Sequence, residues 1–367
     1  MKILFIIKTM VHGTGGAERV LAEISGGLCA KGHDVSLLTF DPPGEEPFYP
    51  LHDGVRRIDL GVGDARKKSG FGVTLTRIGT LRKTVLQEKP DAVVAFMHSS
   101  FIPAAFALIG SGIPVIGSEH IVPEHYQSRK IEFFLFVLSS FFLKKITVVS
   151  EKVRKSYPSF LQRKMAVVPN PVKSAQPDLK GLRHLEKRPV VLTVGRLDPQ
   201  KDQDTLIRAF GILAPRFSDW DLKIIGEGEL RPALEKTVAE LHMKERVFLP
   251  GLTSDIDREY AAASLFVIPS RYESFGLATA EAMSYGLPAI GFSDCPGTNE
   301  VIENGVNGLL VGSGERTEAL AQAMETLMSS EQSRTEMGQR AAESHSDLRP
   351  DRIVDLWEEL IKRVKPS

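Results

Sequence analysis

Cysteine is almost missing from this chain. Cys29 and Cys295 are the two in 367 residues, they stand far apart, and nothing around them has metal-ligand spacing. That excludes a disulfide framework and a zinc finger or ribbon, and fits a reducing cytoplasm. Long apolar runs are scarce too. The opening "MKILFIIK" has an apolar core of only five residues with no small-residue cleavage site behind it, so it reads as a first strand and not as a secretory leader. The most apolar stretch, "FFLFVLSSFFL" at 133–143, falls short of the roughly 20 residues that span a bilayer as a helix. Two readings remain for it. Either it packs between sheet and solvent, or it is an interfacial helix that dips aromatic side chains into a membrane surface beside Lys144 and Lys145.

Net charge is absent as well, since 46 Lys and Arg balance 46 Asp and Glu. The halves are unequal: 22 basic against 15 acidic residues in 1–170, and 24 against 31 in 171–367. A basic first half suits an anionic partner such as the inner face of a membrane, although scattered solvated charges explain the imbalance equally well. No nucleic-acid partner is expected. Short repeats and low-complexity tracts are missing, and the 42% hydrophobic, 25% charged composition is that of a globular protein long enough for two cores.

What fills the chain is alternation. Strand-length apolar runs ("ILFIIK", "DVSLLTF", "DAVVAFM", "IPVIGSE", "KITVVS", "MAVVPN") alternate with helical segments near 16–31, 73–89, 100–110 and 133–143. This is the pattern of a parallel sheet covered on both faces. A polar, Pro-containing stretch, "KSAQPDLKGLRHLEKRP", marks a boundary, after which the alternation restarts with "VVLTVGRL", "LKIIGEG", "RVFLPG", "LFVIPS", "PAIGFS" and "GLLV". The expected fold class is α/β, with two doubly wound, Rossmann-like lobes facing a central cleft. The first lobe covers 1–170 and the second 171–350. Ile353, Leu356, Leu360 and Val364 recur at helical spacing in the tail, so a last helix at 351–365 has a face to bury, and is expected to cross back onto the first lobe.

Ligands of doubly wound sheets sit beyond the carboxyl ends of the strands, which directs attention to four strand-to-helix loops. In "KTMVHGTGGAER", Gly13, Gly15 and Gly16 precede a helix whose free N–H groups can hold a phosphate, while Glu18 breaks the dinucleotide fingerprint G-x-G-x-x-G. In "VGRLDPQKD", Arg196 and Lys201 supply a fork and a point charge suited to a diphosphate. In "GSEHIVPEH", His120 stands at the end of a first-lobe strand, where it is either a satisfied structural ring or a catalytic one. In "ESFGLATAE", Glu273 and Glu281 have seven residues between them, one in the loop and one inside a helix starting near Gly276. Ionised carboxylates accept paired hydroxyl hydrogen bonds, so the two suit sugar or ribose diols; a surface helix with charges at chance spacing explains them too.

Taken in order, "GGAER", "SEH", "GRLDPQK", "ESFGLATAE" and "SYGLPAIGFSDCPGTNEVI" resemble the retaining glycosyltransferases of family 4, whose GT-B fold has two Rossmann-like lobes. The resemblance covers nearly the whole chain. It implies that Arg196 and Lys201 bind the diphosphate of a nucleotide sugar, that Glu273, Ser274 and the backbone of Phe275, Gly276 and Leu277 hold the donor sugar, and that Glu281 binds ribose. It further implies that Gly15 and Gly16 approach the donor phosphate and the acceptor, that His120 contacts the donor sugar and places the acceptor, and that no cofactor or metal is required. "CPGTNEVI" departs from the family's commoner glycine-rich loop ahead of Glu300. The implied activity is transfer of a hexose, from UDP-hexose, to a hydroxyl of a glycan or lipid-linked acceptor in envelope or exopolysaccharide synthesis. Two other classes compete with it: a nucleotide-sugar epimerase of similar shape and a non-catalytic two-lobed sugar-binding protein.

Overall fold

Runs of Ile, Leu, Val and Phe without polar alternation form strands buried on both faces. In the computed structural model, which describes residues 1–12, 15–63, 70–173 and 189–365, they assemble into two parallel sheets. The chain divides into two compact units, Met1–Pro171 with Pro350–Ser367, and Val172–Arg349. Gly13 and nearly all of the polar stretch after Val172 lie outside the described residues.

The first unit contains β1 (Lys2–Ile6), β2 (Asp34–Thr39), β3 (Arg56–Asp59), β4 (Ala92–Phe96), β5 (Val115–Ser118), β6 (Lys145–Val148) and β7 (Met165–Val167). Their order is β3-β2-β1-β4-β5-β6-β7. Ile3 sits in register between Val35 and Ala92, and Ile3, Phe5 and Val94 are wholly buried. The chain winds outward from β1 to β3 and restarts on the other side with β4, which puts the topological switch point between β1 and β4. β3 has no counterpart among the sequence expectations. Its "RRID" is an edge strand in which Arg56 reaches Ser36 Oγ at 2.9 Å and Glu88 Oε1 at 3.1 Å, so charge, not apolar content, fills it.

The second unit repeats the plan with β8 (Val190–Val194), β9 (Asp221–Ile225), β10 (Val247–Gly251), β11 (Leu265–Ile268), β12 (Ala289–Phe292) and β13 (Gly308–Val311) in the order β10-β9-β8-β11-β12-β13. Its switch point lies between β8 and β11. Leu206, Phe210 and Leu213 of the helix Gln203–Leu213 share one core with Leu320, Met324 and Leu327 of the helix Arg316–Met328. The expected class, two doubly wound α/β sheets, is the observed one.

The tail resolves into Arg316–Met328, Glu331–Glu343 and Pro350–Val364. The last of these buries Ile353, Val354, Trp357 and Ile361, whereas Leu356, expected on the buried face, is 38% exposed. Trp357 decides the rotation, because the bulkiest apolar side chain of the helix has the most surface to remove from water. Val354 lies against Gly27 of the helix Gly16–Ala30, where an added Cβ would come within 2.5 Å of Val354 Cγ2. Lys31 pairs with Asp355 and Glu358 over the same contact.

Candidate active site

On the second unit, the loop after β8 and the loop after β11 flank the switch point and are laced together. The Arg271 amide donates to Gln200 O at 2.9 Å, and Gln200 Nε2 donates to Tyr272 O at 2.9 Å. Lys201 Nζ meets Glu273 Oε1 at 2.5 Å, and Ser270 Oγ donates to the same oxygen at 2.6 Å. Lys201 and Glu273, expected to serve the same donor, are thus in direct contact, with side chains only 16% and 10% exposed. Arg196 is close in sequence but turned outward, 61% exposed and paired with Asp198 Oδ2 at 3.1 Å. A half-buried lysine on one side and an exposed guanidinium on the other can grip two phosphates of one ligand.

Glycines set the backbone of this site. Gly226 and Gly228, after β9, pack so tightly under the β8 loop that an added Cβ would lie 2.0 Å from Gly195 O and 2.3 Å from Leu197 O. Sequence reasoning missed them, although the pair in "IIGEG" was the available signal. Gly276 takes a left-handed conformation (φ +81°) at the start of the helix Leu277–Ser284, which a side chain would strain. Gly297, in the departing loop, combines φ +78° with a gap of only 2.7 Å between a built Cβ and Glu273 O. The Glu273 amide donates to Pro296 O at 3.0 Å, so that loop props up the "ESFG" turn.

The amides of Phe275, Gly276 and Leu277 find no acceptor among the described residues. Free N–H groups and the positive end of the helix dipole therefore coincide beside Glu273 and Ser274, a ready site for an anion or a sugar hydroxyl. Glu281, inside the helix, is 5% exposed and its Oε2 accepts from Tyr260 OH at 3.2 Å.

On the first unit, His120 lies two residues beyond β5. Its Nε2 is 2.9 Å from Ser118 Oγ, which itself accepts from Thr147 Oγ1 at 2.9 Å. The ring stacks on Phe96 at 4.9 Å, and Phe96 stacks on Trp357 at 5.7 Å, so the last helix supports the histidine through one intervening ring. Burial pulls the His120 pKa down to about 4, leaving a neutral imidazole at neutral pH. Burial also pushes the neighbouring Glu119 carboxyl up to about 8, against the hydrogen bonds from Tyr126 OH at 2.7 Å and the Ile121 amide at 3.1 Å. Gly15 caps the helix Gly16–Ala30, the first helix after β1, in extended conformation. A further grouping was invisible to sequence spacing: His98, His125 and Glu132, from three separate segments, place one donor atom each within 4.8 Å of one another.

Comparison with known proteins agrees with the fold throughout. Residues 14–176 match the model of Glycosyltransferase Family 4, and residues 176–344 match that of Glycosyl transferases group 1. A Campylobacter jejuni relative, an α-1,4-N-acetyl-D-galactosaminyltransferase acting on a diNAcBac-PP-undecaprenol-linked glycan, is 29% identical, with 100% of this chain and 99% of the relative aligned. An uncharacterized glycosyltransferase of Haemophilus influenzae is 26% identical over 98% of this chain and 99% of its own length. Among solved structures, sucrose-phosphate synthase from Thermosynechococcus elongatus superposes with a TM-score of 0.84 at 19% identity, covering 99% of both chains. HepE of Anabaena, in complex with UDP and glucose, gives 0.78 at 22% identity, again over 99% of both. With both sheets, both switch points and both matched regions in agreement, the chain belongs to the group 1 glycosyltransferases, family 4 of the GT-B fold.

Proposed function

We propose that this glycosyltransferase moves a hexose from a UDP-sugar to a hydroxyl of a glycan or lipid-linked glycan, with retention of anomeric configuration and without requiring a metal ion for the transfer step. The observation that carries the reading is the Lys201–Glu273 contact beside the unpaired amides of Phe275 to Leu277. It puts a cation, a carboxylate and a helix N-terminus at one switch point. Arg196 and Lys201 would stabilise the departing diphosphate, doing the work that a divalent ion does in other transferases. Glu273, Ser274 and the backbone of residues 275–277 would hold the sugar, and Glu281 the ribose. Gly15 and Gly16 would let the donor phosphate and acceptor approach closely, and His120 would place the acceptor hydroxyl against the face from which UDP leaves. The choice of UDP-hexose is supported by the UDP and glucose bound to HepE, and that of a polysaccharide or lipid-linked acceptor by the Campylobacter relative and by an amylovoran biosynthesis glycosyltransferase of Erwinia amylovora, 24% identical over 98% of this chain. NMR of the product made in EDTA tests retention and metal independence together. An axial linkage from an axial donor is expected, and an inverted product or loss of transfer in EDTA would refute the respective half.

The acceptor reading gains support from the helix Lys130–Ser140. It buries only Phe136, Ser139 and Ser140, while Ile131, Phe134, Leu135, Leu138 and the adjoining Phe141 and Phe142 are exposed, three of them by more than 60%. Arg129, Lys130, Lys144 and Lys145 flank this segment in sequence. No helix among the described residues is long and apolar enough to cross a membrane, so contact would be peripheral. The protein is expected to float with anionic liposomes and to be released by salt, and Phe134→Ser with Phe141→Ser should cut binding at least tenfold, each phenylalanine contributing about 1.5 kcal/mol or more when buried. Wild-type protein staying in the soluble fraction would defeat the membrane reading and leave the fold untouched.

A further inference from the structure

We propose that His98, His125 and Glu132 form a binding site for a divalent transition ion, zinc in the first instance. Their donor atoms lie within 4.8 Å of one another, and two imidazoles with one carboxylate are a donor set that zinc accepts while keeping an open position. Such nitrogen-rich ligation favours zinc, nickel or cobalt over magnesium and calcium, which take oxygen. The ring of His98 supplies an independent observation. Its Nδ1 is buried without a hydrogen-bond partner among the described residues, and its Nε2 is 3.7 Å from Glu132 Oε2, outside hydrogen-bond reach. A half-buried imidazole whose Nδ1 is left without a partner and whose Nε2 faces a carboxylate calls for a ligand. Metal bonds of about 2.0–2.2 Å at tetrahedral angles place ligand atoms roughly 3.4 Å apart, so a separation of up to 4.8 Å must close by up to about 1.4 Å on binding.

The surroundings both support and compete with an ion. Tyr126 stands edge-on to His98 and His125, at 5.6 and 5.4 Å, and its hydroxyl is fixed on Glu119, so both rings are held in place. Arg129 Nη1 lies 3.4 Å from Glu132 Oε2 and would have to share or yield that carboxylate. The ion would fasten the 3-10 turn Pro123–Tyr126 and the helix Lys130–Ser140 to the residues that follow β4, thereby fixing the segment beyond His120. It has no part in the diphosphate chemistry assigned to Arg196 and Lys201, so its fate is independent of the transfer reading.

The test is calorimetric titration of ZnCl2 into the untagged full chain after EDTA treatment and dialysis, with the absorption spectrum of the Co2+-loaded protein alongside. One equivalent with saturation is expected, together with visible bands of tetrahedral cobalt. His98→Gln and His125→Gln should each weaken zinc binding at least tenfold and abolish those bands. If either variant unfolds by circular dichroism, Glu132→Gln carries the same expectation, since that side chain is 34% exposed and its loss spares the core. Absence of saturable zinc binding by the wild type, or unchanged affinity in the folded variants, would overturn the proposal.

Discussion

Arg196→Ala is expected to weaken UDP binding more than tenfold while leaving the melting temperature where it is. Arg196 is 61% exposed and its ion pair with Asp198 is of the surface kind worth under about 1 kcal/mol. A charge-assisted hydrogen bond to phosphate is worth roughly 1.5–3 kcal/mol, or about ten- to a hundredfold in affinity. Lys201→Ala should lose at least as much affinity and also stability. Its removal leaves the Glu273 carboxylate, 8% exposed as a residue, with Ser270 but no cation. Stripping one partner from a buried pair costs about 3–5 kcal/mol at full burial and less at this partial exposure. Calorimetry of UDP binding, with thermal denaturation of each variant, separates the two effects. Unchanged UDP affinity in both variants would remove the phosphate assignment.

Glu273→Gln and Glu281→Gln are expected to fail in different ways. Glu281 accepts from Tyr260 inside the helix Leu277–Ser284, and an amide there keeps the size but exchanges a charged acceptor for a weaker one. UDP affinity should fall about tenfold, through ribose. Glu273→Gln releases Lys201 from its carboxylate, so UDP affinity should hold within about threefold, while transfer from the intact nucleotide sugar drops by about a hundredfold or more as a charge-assisted contact to the sugar is lost. The diagnostic is the pattern across both variants, read as UDP affinity against transfer rate. Equal loss of UDP affinity in folded Glu273→Gln and Glu281→Gln would contradict the assignment of one carboxylate to each polyol.

The two variants turn on different contacts, Glu273 with Lys201 and Glu281 with Tyr260, that sequence could only partly announce. Apolar runs such as "ILFIIK" and "LFVIPS" forecast buried parallel strands because burial on both faces leaves no alternation to misread. β3 escaped because an edge strand with two arginines is stabilised by Ser36 and Glu88, not by a core. The last helix was legible as amphipathic, yet its stripe could be drawn through Leu356 or through Trp357, and only packing against Phe96 and Gly27 chooses. In the site, the residue types of Arg196, Lys201, Glu273 and Glu281 suggested their chemistry, whereas the Lys201–Glu273 contact depends on two loops 72 residues apart in sequence. Gly226, Gly228 and Gly297 act through backbone proximity that only folding creates. The same holds for His98, His125 and Glu132, whose spacing along the chain matches no ligand motif.

The central claim is that the chain transfers a sugar and does not merely bind or isomerise its nucleotide form. Release of UDP from UDP-hexose, followed with and without a candidate glycan or lipid-linked acceptor, tests it most directly. UDP should accumulate in step with glycosylated acceptor and stay near background without it, and the yield should collapse in Lys201→Ala. Epimerised UDP-sugar appearing without acceptor, or donor binding with no turnover across an acceptor panel that includes lipid-linked glycans, would contradict the account.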